Sequence, residues 1–451
     1  MLITVASRTR AATLPQEKSK RQGLPRLLNS MALISGRIAN MVFGFLAWLL
    51  AARLFPAAEV GLASGAISAM MLCVQLALLG VGSAFIVLFP QYRDRPAKLL
   101  DTAFSTVSLT ALLAACLFLL LASGAFQELS VIGSILTYTI AFLALSALGT
   151  VGVLFDQVSI ALRRSDQVLT RNALFGLVTL VSMGVLPLLG ARSSLAIFCA
   201  WVLGNLGACV LGFVQLWFCM SQYRYRPRME LGLARRLISI GLPNYALTLA
   251  ERTPGAILPI IVTELLSPIE NAYWYQVWMM AWAVYIIPIS VGQTLFAEVA
   301  HRPSSLKSGI RHSVWSSLGF GVVTAIGVGV LAPFLLAMLG SNYAASGAGP
   351  LRVLVLGVLP YTFVQAYYAA CRGIQQLNEA ILTGMVSGAV GVIAAAAIGV
   401  TYGIMGMAVA WIVSQFAAGI WALWRLRCIA RLPRQSESLL EEPAATGGAA
   451  E

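Results

Sequence analysis

The chain has 451 residues, 59% of them hydrophobic and only 10% charged, with a mean hydropathy of +0.84. Those proportions exclude an ordinary soluble domain and point to a polytopic membrane protein. The net charge of +13 does not imply nucleic acid, because the basic residues lie in the gaps between apolar spans, where they set topology.

Residues 1–27 are polar and basic (Arg8, Arg10, Lys18, Lys20, Arg21, Arg26) and lack the apolar core of a signal peptide. They read as a disordered cytoplasmic tail. Apolar spans follow at about 28–54, 58–89, 101–123, 131–155, 168–190 and 195–219. A basic connector, QYRYRPRMELGLARR (222–236), precedes a second set at about 237–266, 269–299, 312–340, 350–371, 378–401 and 403–426. The pattern predicts twelve transmembrane helices in two lobes, 28–221 and 237–430, with a disordered tail over 431–451. The seven cysteines form no CxxC or Cys/His cluster, and both histidines, His301 and His312, fall in one polar loop. No disulfide framework, metal or cofactor is expected.

Most of the 30 Lys and Arg fall on alternate loops: the N-terminal tail, 90–100, 156–171, 222–236, 300–311, Arg372 and the C-terminal tail. By the positive-inside rule that side is cytoplasmic, with both termini in. Arg163, Arg164 and the 222–236 arginines are expected to set topology and to meet anionic lipid heads. The external loops are short, the longest near 340–349, leaving no room for a folded catalytic domain. No enzyme is expected.

An internal repeat is visible. Arg53-Leu-Phe-Pro-Ala-Ala-Glu59 ends the first predicted helix, and Glu264-Leu-Leu-Ser-Pro-Ile-Glu270 ends the seventh at the same spacing. Leu162-Arg163 and Cys371-Arg372 also correspond, as do the later segments AWVLGN and AWIVSQ at Trp201 and Trp411. Six helices per half make the repeats parallel, with a substrate site expected between them.

The stretch LISIGLPNYALTLAERTPGAILPIIVTELL (237–266) is long enough to span a bilayer. Pro243, Pro254 and Pro259 predict a bent or broken helix. Glu251 and Arg252 lie near mid-depth, where each charge costs about 3 kcal/mol. Either they form a structural pair locking two helices, or they face a lumen. The cluster Tyr273-Trp274-Tyr275, Trp278 and Trp282 reads as an interfacial belt, with sugar stacking as the other use.

GRIANMVFGFLAWLLAARLFPAAEVGLAS (36–64), GVGSAF (80–85), ISIGLPNY (238–245), ALRRSDQ (161–167) and ACRGIQQ (370–376) together resemble the polysaccharide (O-antigen type) flippases. These belong to the multidrug/oligosaccharidyl-lipid/polysaccharide exporter superfamily. The resemblance covers about 30–430. It implies an all-α, V-shaped pair of six-helix lobes around a central cavity. It also implies a multi-pass bacterial inner-membrane protein that flips a polyprenyl-diphosphate-linked glycan to the outer leaflet. The partners expected are that glycan, membrane lipids, and a polysaccharide polymerase with other assembly proteins around a monomer. Glu251-Arg252 matches no motif of the family.

A diphosphate needs a wet cationic groove to cross hydrocarbon, and arginine binds phosphate in bidentate fashion. Arg37 and Arg252, from equivalent helices, are the expected phosphate ligands. Asn40, Asn244, Gln75, Gln293 and Asn205 are expected around them or in helix–helix hydrogen bonds. Glu251 is the candidate for ion coupling, or else a static counter-ion for the arginines. A cation-coupled drug antiporter on the same fold is the competing function.

Overall fold

A computed structural model describes residues 41–220, 223–301, 306–374 and 376–429. All regular structure among them is helical. Helix α1 covers Met41–Leu54. Then come α2 (Ala57–Leu78), α3 (Val81–Leu88), α4 (Pro96–Ala125), the single turn α5 (Val131–Ser134), α6 (Leu136–Ala161), α7 (Ser165–Leu188) and α8 (Ser194–Cys219). After the connector follow α9 (Leu231–Leu265), α10 (Pro268–His301), α11 (Leu306–Ala337), α12 (Ser341–Val355), α13 (Val358–Gly373) and α14 (Leu377–Ile429). Pro96 and Pro268 open α4 and α10 at the position where a missing N–H costs no hydrogen bond.

Eight helices are long and apolar enough to cross a membrane, and the bent pair α12–α13, turning by 44°, makes a ninth. The expected twelve is not reached by length and composition among the described residues, for three reasons. Helix α1 starts at the edge of the described region. Helix α9 is less apolar than the other long helices, because Glu251, Arg252, Asn244 and three prolines interrupt its apolar run. Helix α14 reads as one run, although Gly403 at φ 61 interrupts it between the two expected spans. The proposed span 58–89 is itself interrupted, because Leu79 (φ 45) and Gly80 (φ 76) take left-handed conformations between α2 and α3.

Two sequence expectations are revised here. Helix α9 runs through Pro243, Pro254 and Pro259 as 35 continuous helical residues, so of the expected bend or break the break is absent. Neighbouring helices hold it in register, and such contacts make proline tolerable inside a membrane helix. The expected outer loop at 340–349 is mostly helix, since α12 begins at Ser341.

The helices before the connector pack chiefly on one another, as do those after it. The two groups meet where α2 and α3 cross α9 and α10. At one end, a Cβ added to Gly61 would lie 1.5 Å from the Pro268 carbonyl oxygen, so only glycine permits this approach. Asn271 Nδ2 donates there to the Gly61 carbonyl (2.9 Å) and to Ser64 Oγ (3.0 Å). At the other end Gly241 meets Gly80, where a Cβ would lie 2.0 Å from the Gly80 carbonyl oxygen.

The repeat positions Arg53 and Glu264 perform matching tasks across this seam. Arg53 donates to the carbonyls of Met338 (2.7 Å) and Ala337 (3.2 Å), at the end of α11 in the opposite group. Glu264 accepts from the backbone N–H groups of Gln127 (2.7 Å), Glu128 (3.3 Å) and Leu129 (2.7 Å), just beyond α4. A cation meets orphan carbonyls in one case and an anion meets free N–H groups in the other.

Candidate functional site

Adjacent residues on a helix diverge by about 100°, so Glu251 and Arg252 leave α9 in different directions. Glu251 is turned toward α13, where Gln365 Nε2 donates to its Oε1 at 2.5 Å. Tyr361 stands close to the carboxylate, and Arg372 and Arg252 are the cations acting on it. Tyr361, Gln365, Tyr368 and Arg372 recur at i, i+4, i+7 and i+11, which places all four on one face of α13. The face is apolar enough to bury and polar enough to hold a carboxylate.

A cavity of about 50 Å³ lies at this junction, lined by Thr248, Glu251 and Arg252 of α9, Gln293 of α10, and Gln365 and Arg372 of α13. A second void of about 20 Å³ also reaches Glu251, among Trp278, Trp282, Tyr361 and Tyr368. A water needs roughly 10–15 Å³ by this measure, and organic ligands need roughly 300 Å³ or more. The larger cavity therefore admits a few waters or one small cation, not a glycan. Both lie within the group of helices after the connector.

Of the residues singled out by sequence, Glu251, Arg252 and Gln293 converge on one cavity. Arg37 and Asn40 lie outside the described residues. Asn244 is exposed. Gln75 stands at the seam, where its backbone carbonyl accepts from the Tyr245 hydroxyl (2.7 Å), while its Oε1 is buried without a partner among the described residues. Asn205 donates to the Trp201 carbonyl within its own helix (3.0 Å) and joins no site.

Three participants were missed: Tyr361, Gln365 and Arg372. From sequence Arg372 reads as a topological charge and a repeat position, with no site role expected. The i, i+4, i+7, i+11 spacing of polar side chains in YTFVQAYYAACR was the available signal.

Two other expectations are corrected. The aromatic run is not an interfacial belt, because Tyr273, Trp274, Tyr275 and Trp278 are all buried. Trp48 and Tyr275 pack at 4.8 Å between ring centroids, and Trp278 and Trp411 at 5.4 Å. Arg171 is not a loop charge. It is 3% exposed inside α7, paired with Asp156 at 2.8 Å and hydrogen-bonded to Gln215 (2.8 Å) and Ser159 (3.0 Å). Its guanidinium lies over the Phe155 ring, 5.4 Å from the centroid. The loop between α6 and α7 is far shorter than 156–171, and Arg171 fastens α7 to α6 and α8.

No protein family and no curated protein matches the sequence. Solved structures do. An inward closed form of the lipid II flippase MurJ is similar at TM-score 0.70 and 13% identity, over 89% of this chain and 87% of that one. An inward-facing multidrug resistance MATE family transporter of the MOP superfamily is similar at 0.68 and 13%, over 86% and 95%. A MOP superfamily transporter from Pyrococcus furiosus, described as having a binding pocket of reverse polarity, is similar at 0.59 and 13%, over 89% and 95%. The chain is a multi-pass membrane protein, all-helical among its described residues, with the fold of MOP superfamily transporters.

Proposed function

We propose that this protein flips a polyprenyl-diphosphate-linked oligosaccharide from the cytoplasmic to the outer leaflet of a bacterial inner membrane. The product would feed cell-surface polysaccharide synthesis, of O-antigen or exopolysaccharide type. In this reading residues 28–221 and 237–430 are six-helix lobes, giving twelve spans with both termini cytoplasmic. The lobes alternate between contact at the seam and a V-shaped opening.

The observation that carries the reading is the charge at the α9–α13 cavity, where Arg252 and Arg372 stand beside one carboxylate, Glu251. An excess of arginine inside membrane helices suits an anionic head group, and guanidinium matches diphosphate geometry. Arg37, expected from sequence on the equivalent helix of the other lobe, is the further phosphate ligand in this reading. The cavity is too small for the glycan, so the substrate site forms on opening. The small cavity at Glu251 is the place for a proton or Na⁺ that is taken up in one state and released in the other, which is what coupling requires.

A second reading is favoured by one feature. Glu251 sits among Trp278, Trp282, Tyr361 and Tyr368, and a carboxylate in an aromatic setting attracts organic cations. A cation-coupled drug antiporter would use it so. Depletion of the protein in its native cell separates the two readings. Lipid-linked glycan accumulates on the cytoplasmic leaflet if it is the flippase. Unchanged glycan levels together with retained cationic dyes would establish the antiporter.

A further inference from the structure

The connector between the two groups of helices is not a free tether. The Tyr223 hydroxyl donates to Asp101 Oδ1 at 2.5 Å, and the Arg226 backbone N–H donates to the same atom at 3.1 Å. Burial, reinforced by the Asp101 carboxylate, pushes the Tyr223 phenol up, so it remains a donor at any physiological pH. Tyr225 hydrogen-bonds Ser105 at 3.0 Å and packs edge-on against Phe104. Glu230 pairs with Lys98 at 2.6 Å. Four consecutive attachments thus hold the backbone of 223–230 against α4.

This fixed strand presents Arg224, Arg226 and Arg228 around a cavity of about 930 Å³, closed on the other side by the start of α4. The nearby acids are already engaged, Glu230 by Lys98 and Asp101 by the connector itself. No acid within ion-pair distance meets the three arginines among the described residues. An apolar cleft of about 360 Å³ adjoins, sharing Tyr223 and Arg224 with the first and floored by Phe213, Val214 and Trp217 of α8. Val214 and Trp217 are exposed on the outer surface of the helix, where acyl chains run. Tryptophan at a helix end marks the depth of the lipid head groups.

We propose that these two cavities form a binding site for one anionic glycerophospholipid, its head group among Arg224, Arg226 and Arg228 and an acyl chain along Phe213, Val214 and Trp217. Three cations, none within ion-pair distance of an acid among the described residues, outnumber the unneutralised Asp101 and form a phosphate site, and the adjoining apolar cleft distinguishes a lipid from a soluble anion. The ligand belongs to the arginine-rich leaflet, which rests on the orientation proposed above. Its binding does not rest on the transported substrate. Occupied, the site would tie the connector, and with it the seam, to the lipid composition of that leaflet.

The test is native mass spectrometry of the full-length protein with added phosphatidylglycerol, phosphatidylcholine or inorganic phosphate. The wild type retains one phosphatidylglycerol at least tenfold more tightly than phosphatidylcholine, and the Arg224→Gln/Arg226→Gln/Arg228→Gln variant loses that preference while remaining folded. Asp101→Ala removes a negative charge, so loose electrostatic attraction predicts tighter binding, whereas a site built by the pinned connector predicts weaker binding. The proposal is overturned if the triple variant keeps the preference, if inorganic phosphate displaces the lipid at equal concentration, or if Asp101→Ala binds as well as the wild type. Should the triple variant misfold, the single Arg224→Gln change, at the residue shared by both cavities, must weaken binding severalfold, and unchanged binding there also overturns it.

Discussion

Glu264→Ala tests whether the seam is a gate. Glu264 accepts three backbone N–H bonds from Gln127, Glu128 and Leu129, two of them at 2.7 Å. A hydrogen bond to a charged acceptor contributes about 1.5–3 kcal/mol. Glu264 is half-buried and Gln127 and Glu128 are exposed, so water recovers part of the loss. About 2 kcal/mol remains, or roughly a 30-fold shift between joined and separated states. Spin labels on cysteines at Glu128 and Leu265, in a cysteine-free background, report the separation directly. The parent protein gives one short distance, and Glu264→Ala adds a longer population. Arg53→Ala acts the same way through the end of α11. A distance distribution unchanged by both substitutions, in folded protein, refutes the gating role of these two residues.

Three further outcomes are expected. Arg37→Ala and Arg252→Ala each reduce glycan export at least tenfold at normal protein levels, with lysine rescuing only partly; full export by both alanine variants removes the cationic groove. Glu251→Gln leaves substrate binding intact but makes transport insensitive to an imposed H⁺ or Na⁺ gradient, and gradient-driven transport that persists in the folded variant identifies Glu251 as a static counter-ion. Cysteines at Gln127 and Asn342 label from outside with an impermeant maleimide while those at Arg95 and Lys307 do not; the reverse pattern overturns the orientation.

Much of the fold was legible because hydropathy periods and proline and glycine punctuation are local. The interruption at Gly403 coincides with the start of the expected span 403–426, and Pro96 and Pro268 start helices close to the expected spans 101–123 and 269–299. What stayed hidden depended on neighbours. Pro243, Pro254 and Pro259 each remove a hydrogen bond, yet packing keeps α9 continuous. Arg171 and the Tyr273–Trp278 run read as loop and interface residues because composition does not tell a lipid face from a buried one. The site was half legible. Depth alone flagged Glu251 and Arg252. Their partners on α13 needed a tertiary contact, although the polar spacing from Tyr361 to Arg372 was present in the chain. The pairing of Arg53 with α11 and of Glu264 with the segment after α4 gives the repeat a physical meaning that sequence similarity alone lacked.

The most direct test of the central claim is reconstitution. Purified protein in vesicles is supplied with a fluorescent polyprenyl-diphosphate oligosaccharide, and the fraction in each leaflet is read with an impermeant quencher or glycosidase. The account predicts protein-dependent transfer that Arg252→Ala abolishes and that a neutral polyprenyl-linked sugar without the diphosphate does not undergo. Vesicles that leave the lipid-linked glycan in place while exchanging an organic cation for H⁺ or Na⁺ would contradict it.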